Sequence, residues 1–162
     1  MSRVCYFASD IPLKEKTNPF VRSYSINEAI KAGINIDLKL LEDIDRDEPD
    51  TILWAEKEEH MELPTISAAK PYSEAPKSDK KYYADIGGVP EKDLQGIIEY
   101  IHDYMRKTKG ANAKSLELWC VWLGADETDI EKKHCRLADL SEEYLYEIFT
   151  NDDKDYKLVI TR

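Results

Sequence analysis

The residues of this chain that could do chemistry begin with an acidic run, Glu42–Asp50 (EDIDRDEPD). Asp43, Asp45 and Asp47 have the first three ligand spacings of a calcium-binding EF-hand loop. That loop also needs glycine at its sixth position and a bidentate Glu at its twelfth. Here those positions hold Glu48 and Trp54. Starting at Asp45 places Glu56 twelfth, but Pro49 then falls fifth and Asp50 takes the glycine position. The loop chemistry fails in both registers, so no metal is expected. Six carboxylates against one arginine give the run a local charge of −5, which repels itself and belongs on the surface. Asp43, Asp45, Asp47, Glu48 and Asp50 are therefore candidate contacts for a basic protein partner.

No catalytic constellation accompanies them. His60, His102 and His134 are scattered, and a transition-metal site needs three or four converging ligands. His134 and Cys135 are adjacent, which on a strand points them to opposite faces. There is no G-x-S-x-G elbow, P-loop or Rossmann glycine pattern. Gly87-Gly88 before Val89-Pro90 reads as a tight strand-to-helix turn rather than an anion cradle. Cys120 falls in an apolar strand, where a thiol is inert, and His102-Asp103 reads as a solvated helix flank. No cofactor is implied. Trp54, Tyr83, Trp119 and Trp122 are the candidate walls of an aromatic pocket, if the chain binds a small molecule.

These residues need elements to position them. Ser115–Gly124 (SLELWCVWLG) is the longest near-continuous apolar run. Leu116, Leu118, Cys120 and Trp122 share one strand face. Trp119, Val121 and Leu123 share the other, interrupted only by Glu117. A strand apolar on both faces is covered on both and sits inside a sheet. From Lys81 the pattern reads Tyr82–Ile86 strand, a helix carrying Leu94, Ile97, Ile98, Ile101 and Met105 with Gly110 as its stop, and Ser115–Leu123 strand. A polar strand Ile130–Leu137, a helix with Leu145, Ile148 and Phe149 inward, and a strand Tyr156–Thr161 follow. That is β-α-β-β-α-β, the ferredoxin-like order.

Earlier in the chain, Val4–Ala8 and Thr51–Glu56 read as strands. Ser25–Gly33 reads as a helix with a Ser25/Glu28 capping box. Ile34–Leu40 alternates like a strand, although LKLLEDI also suits a helical turn. Lys57–His60 reads as a turn making a hairpin of Thr51–Glu56 with Met61–Ile66. Ser67–Lys81, rich in Ala, Ser, Pro and Lys, reads as a long mobile connection. The expected fold is α+β: an antiparallel or mixed sheet with helices on one face. Its C-terminal half is ferredoxin-like, and a strand from the N-terminal half, Val4–Ala8 or Thr51–Glu56, pairs beside Ser115–Leu123.

At 162 residues the chain suits one domain, divided as 1–66, a connection 67–81 and 82–162. A net charge of −10 argues against nucleic acid, whose phosphates need clustered Lys and Arg, and against an anionic membrane. No apolar window approaches 18 residues, and MSRVCYFASD lacks the apolar core of a signal peptide. Three cysteines without close spacing fit a reduced, cytoplasmic setting. The succession of Asn18-Pro19, Ser25–Gly33, the acidic run, the strand with Trp54, ELWCVWLG and LVITR resembles a group of small acidic bacterial proteins with no assigned activity. The resemblance implies a bacterial, cytosolic setting and nothing about chemistry.

Two functional readings follow. One is a non-catalytic acidic protein that binds a basic protein, of immunity or inhibitor type, with a carboxylate-studded DNA mimic as its weaker variant. The other is a small-molecule-binding domain or minor enzyme built on the aromatic pocket. Both a monomer and a homodimer are compatible with either.

Overall fold

The computed structural model describes residues 2–110 and 114–162. In chain order the strands are β1 (Arg3–Ser9), β2 (Arg22–Tyr24), β3 (Ile52–Trp54), β4 (Thr65–Ala69), β5 (Tyr82–Gly87), β6 (Ser115–Trp122), β7 (Glu131–Arg136) and β8 (Tyr156–Thr161). The α-helices are α1 (Ile26–Lys31), α2 (Glu58–Met61), α3 (Leu94–Lys107) and α4 (Glu142–Thr150). The chain divides into two compact units, residues 18–62 and the remainder. Among the described residues no helix is long and apolar enough to cross a membrane.

The larger unit is α+β, built on a mixed six-stranded sheet of order β4-β5-β1-β6-β8-β7. Every neighbouring pair is antiparallel except β7 with β8. The apolar strand β6 lies inside, as its two apolar faces require, with β1 on one side and β8 on the other. Val4–Ala8, not Thr51–Glu56, is the N-terminal segment that pairs with it.

The β-α-β-β-α-β succession is present from Tyr82 on, but the ferredoxin-like strand order is not. β1 takes the place between β5 and β6 that the third strand of that motif would fill. β7 instead forms the sheet's edge, in parallel with β8. The physical reason lies in the two sequences. Tyr6, Phe7 and Ala8 of β1 are buried completely or nearly so. β7, EKKHCR, exposes three of its six residues and carries three cations, a composition that suits an edge.

Both faces of the sheet are covered. On one, Phe7, Leu118 and Leu158 pack with Ile97 and Ile101 of α3 and Leu145 and Ile148 of α4. On the other, Tyr6, Trp119, Val121 and Tyr83 pack with Ala75 and Ile130. Ser67–Lys81 is therefore not a mobile connection. Its first residues belong to β4, and the rest covers the second face. Glu74 O accepts from Gly124 N at 2.6 Å, and Pro76 O accepts from the Tyr6 hydroxyl at 2.9 Å. Glu117, the interruption on that face, is a buried carboxylate that gathers donors. It accepts from Trp119 Nε1 at 2.9 Å and from the Ser78 hydroxyl, and Lys157 Nζ lies 3.0 Å away.

The 18–62 unit is small and sparsely packed. Ser25 and Glu28 form the capping box of α1: Glu28 N donates to Ser25 Oγ (3.2 Å) and Ser25 N to Glu28 Oε2 (2.7 Å). Ile26 and Ala29 supply its buried face. The alternating stretch Ile34–Leu40 is not a strand. Leu38–Leu41 forms a 3-10 turn, with Asp37 accepting from Lys39 N. The expected hairpin is also absent, because the residues after β3 form helix α2 rather than a reversing turn. β3 pairs with β2, matching Ser23 with Leu53, while β4 pairs with β5 in the large sheet.

Candidate functional site

Two surfaces stand out, one in each unit. In the 18–62 unit, all of Glu42–Asp50 is exposed. Some of its carboxylates shape the backbone. Asp45 Oδ1 accepts from Asp47 N at 2.9 Å, and Asp47 Oδ1 accepts from Asn27 Nδ2 at 2.8 Å. Asp50 sits at φ +58°, a conformation that Asp tolerates better than most side chains, and its carboxylate accepts from Ser23 Oγ. The carboxylates of Asp43 and Glu48 point to solvent without such a partner among the described residues. No group of three or more metal-ligating side chains exists there or elsewhere among the described residues.

The unit holds twelve carboxylates against five Lys and Arg, so it carries −7 of the chain's −10. It also holds eight of the nine large hydrophobic side chains that are exposed among the described residues. Leu40 is 80% exposed, Leu53 59% and Phe20 51%. Exposed apolar residues scattered singly need no explanation, whereas here eight of them share 45 residues of chain. Sequence reasoning found the carboxylates but missed this apolar set. The alternation at Ile34–Leu40 suggested a strand with one face buried, and the 3-10 turn leaves Leu38 and Leu40 in water instead.

The aromatic candidates fall in different surroundings. Tyr83 and Trp119 are brought together, each beside Tyr6. The Tyr6 ring stacks on Trp119 at 5.9 Å and lies 5.8 Å from Tyr83, all within the packed second core. Trp122 is half-buried and donates from Nε1 to Asp152 O at 2.9 Å, tying β6 to the turn before β8. Trp54 stands in the other unit, partly exposed on β3.

The second surface is a groove of about 1000 Å³ in the larger unit, along the outer side of α3. Tyr100, Met105, Leu137 and Ala138 give it apolar walls. Lys14, Lys16, Arg106, Lys109 and Arg162 are set against Glu15, Glu99 and Asp103, so its charge is positive on an acidic chain. Tyr100 fixes one wall by donating to Lys14 O at 2.6 Å, and burial pushes its phenol pKa upward. Lys107 and Arg106 bond the Asp103 carboxylate and hold its pKa below the usual range. Arg162 donates to Met105 O and Thr108 Oγ1, satisfying groups at the C-terminal end of α3. His102 and Asp103 were visible as one helix flank. The rest of the groove comes from positions up to 148 residues apart, Lys14 to Arg162, which no local pattern joins.

Comparison with protein-family models, with curated proteins and with solved structures finds no match for this chain.

Proposed function

We propose that this is a non-catalytic interaction protein whose 18–62 unit binds a basic, amphipathic protein surface. One observation carries the reading: most of the net negative charge, and nearly all the large hydrophobic residues exposed among the described residues, fall in the same 45 residues. Carboxylates steer a cationic partner and set its orientation. Burial of Leu40, Leu53 and Phe20 then supplies affinity, at roughly 25 cal/mol per Å² of apolar surface covered. An immunity or inhibitor protein is one form of such a molecule.

The experiment uses the full chain as bait in its host cells. The expected partner is basic on its contact face and is released as salt rises. Leu40→Ser with Leu53→Ser should abolish capture, and Asp43→Lys with Glu48→Lys should weaken it without unfolding the bait. Capture unchanged by both pairs would overturn the reading.

A second reading rests on the groove along α3. Its volume lies at the upper end of the small-molecule range of roughly 300–1,000 Å³. Apolar walls with a cationic rim suit a small amphipathic anion. Decanoate should then shift the amide resonances of Gly96, Tyr100 and Ala138, and decyltrimethylammonium should leave them in place.

A further inference from the structure

Cys5 and Cys120 are 115 positions apart in sequence and directly opposite one another in the antiparallel β1–β6 pair. Their side chains share the helix-facing side of the sheet, where Cys120 belongs to the main core and Cys5 packs against it. The Cys5 thiol is one of the neighbours that raise the pKa of the Cys120 thiol, after burial itself. Directly opposed residues in an antiparallel pair have Cα atoms about 4.5–5.5 Å apart. A disulfide spans Cα separations of about 4.4–6.8 Å, so it can close here with little backbone movement. Cys120 is fully buried and Cys5 is partly exposed. One sulfur can therefore meet a reagent while the other waits behind it.

We propose that Cys5 and Cys120 form a reversible cross-strand disulfide, an oxidative modification site at the centre of the sheet. With hydrogen peroxide as oxidant, the Cys5 thiolate attacks one peroxide oxygen. An S–O bond forms, the O–O bond breaks, and the hydroxide that leaves takes up a proton to become water. Cys5 is then a sulfenic acid. Cys120 Sγ attacks that sulfur, the S–S bond forms, the S–O bond breaks, and hydroxide leaves with the Cys120 proton as a second water. Two thiols lose two electrons and two protons, and one peroxide becomes two waters.

Burial suits Cys120 to the second step. Burial raises the Cys120 thiol pKa, so it stays protonated until an electrophilic sulfur is beside it. The Arg3 charge opposes that rise and favours the thiolate. Cys135, the third thiol, lies on the edge strand β7 and is not the register partner of either. The bridge would join the two central strands and close a long loop, which constrains the unfolded chain. Oxidation therefore makes the larger unit harder to unfold, and a dithiol reductant reverses the effect.

The test treats the intact, reduced chain with hydrogen peroxide and, separately, with oxidised glutathione. The chain is then denatured in the presence of a maleimide, and its mass is measured before and after dithiothreitol. The expected result is a monomer that has lost two hydrogens and takes up one maleimide, at Cys135, with peptides containing Cys5 and Cys120 joined. Cys135→Ser should still lose two hydrogens, whereas Cys5→Ser and Cys120→Ala should not. The oxidised form should show a higher urea midpoint that dithiothreitol lowers again. Three maleimides after oxidation, or a bridge that maps to Cys135, would overturn the proposal. Peptide mapping of the unmutated chain distinguishes these outcomes even if a cysteine variant fails to fold.

Discussion

Lys157→Met removes the cation that faces the buried carboxylate of Glu117. The Glu117 side chain is 8% exposed and that of Lys157 19%, with 3.0 Å between Oε1 and Nζ. Lys157 Nζ also lies 4.8 Å from the centre of the Trp119 ring, so one ammonium serves two contacts. Breaking a buried pair by deleting one member costs roughly 3–5 kcal/mol, mostly because the other charge is stranded away from water. Partial exposure of Lys157 places this case at the lower end, about 3 kcal/mol. For a chain of this length each kcal/mol moves Tm by about 2–4 °C, so a fall of about 6–12 °C is expected. Urea unfolding at neutral pH, followed by circular dichroism and tryptophan fluorescence, measures the free energy directly. The companion variant combines Lys157→Met with Glu117→Gln. The amide keeps an acceptor for Trp119 Nε1 or Ser78 but carries no charge, so most of the stability should return. A single variant within about 0.5 kcal/mol of the parent, below typical core effects, would refute the buried-charge reasoning. So would a double variant no better than the single.

Arg3→Ala should cost about 1–2 kcal/mol, because the guanidinium donates to Phe149 O at 2.6 Å and Ile148 O at 2.9 Å, where α4 ends. Urea midpoints check this, and Arg3→Lys should recover only part. Gly96→Ala inverts the usual helix preference of about 1 kcal/mol for alanine. A Cβ there would lie 2.1 Å from Asp93 Oδ2, and the displaced carboxylate would lose its cap on Gly96 N. A variant more stable than the parent would contradict this. Burial raises the Tyr6 and Tyr72 phenol pKa values, that of Tyr72 to about 12. Their stabilisation is complete below the unfolded value near 10 and is lost as pH rises through the folded values. The urea midpoint should therefore fall between about pH 10 and 12, less steeply in Tyr72→Phe, and a midpoint flat across that window would count against it.

How much of the molecule could be read in advance depended on how local its signals were. The Ser25/Glu28 box, the inward stripes of α3 and α4 and the two-faced apolarity of β6 are local patterns, and each element formed where its pattern lies. The 3-10 turn at Leu38–Leu41 shows the opposite case, since a short apolar alternation has no period long enough to decide between strand and turn. The hairpin expectation failed for a related reason. Adjacent strand-like segments pair only if the residues between them reverse the chain, and Glu58–Met61 coil into α2.

The candidate sites divide in the same way. The charge of the acidic run is a property of composition, and self-repulsion alone puts it on the surface. Its apolar companions Phe20, Leu40 and Leu53 became visible only when the tertiary structure left them uncovered. The sequence by itself determined that β6 is an inner strand, because an apolar residue on either face must be kept from water wherever the strand lies. It determined the succession of elements and the acidity of residues 18–62 for equally local reasons. Only the tertiary structure decided that β1 rather than β7 lies between β5 and β6, that Glu117 is met by Lys157, and that Cys5 faces Cys120. These are pairings between distant positions. Strand pairing selects among them by the total surface that the assembled sheet buries, a quantity that no single segment carries.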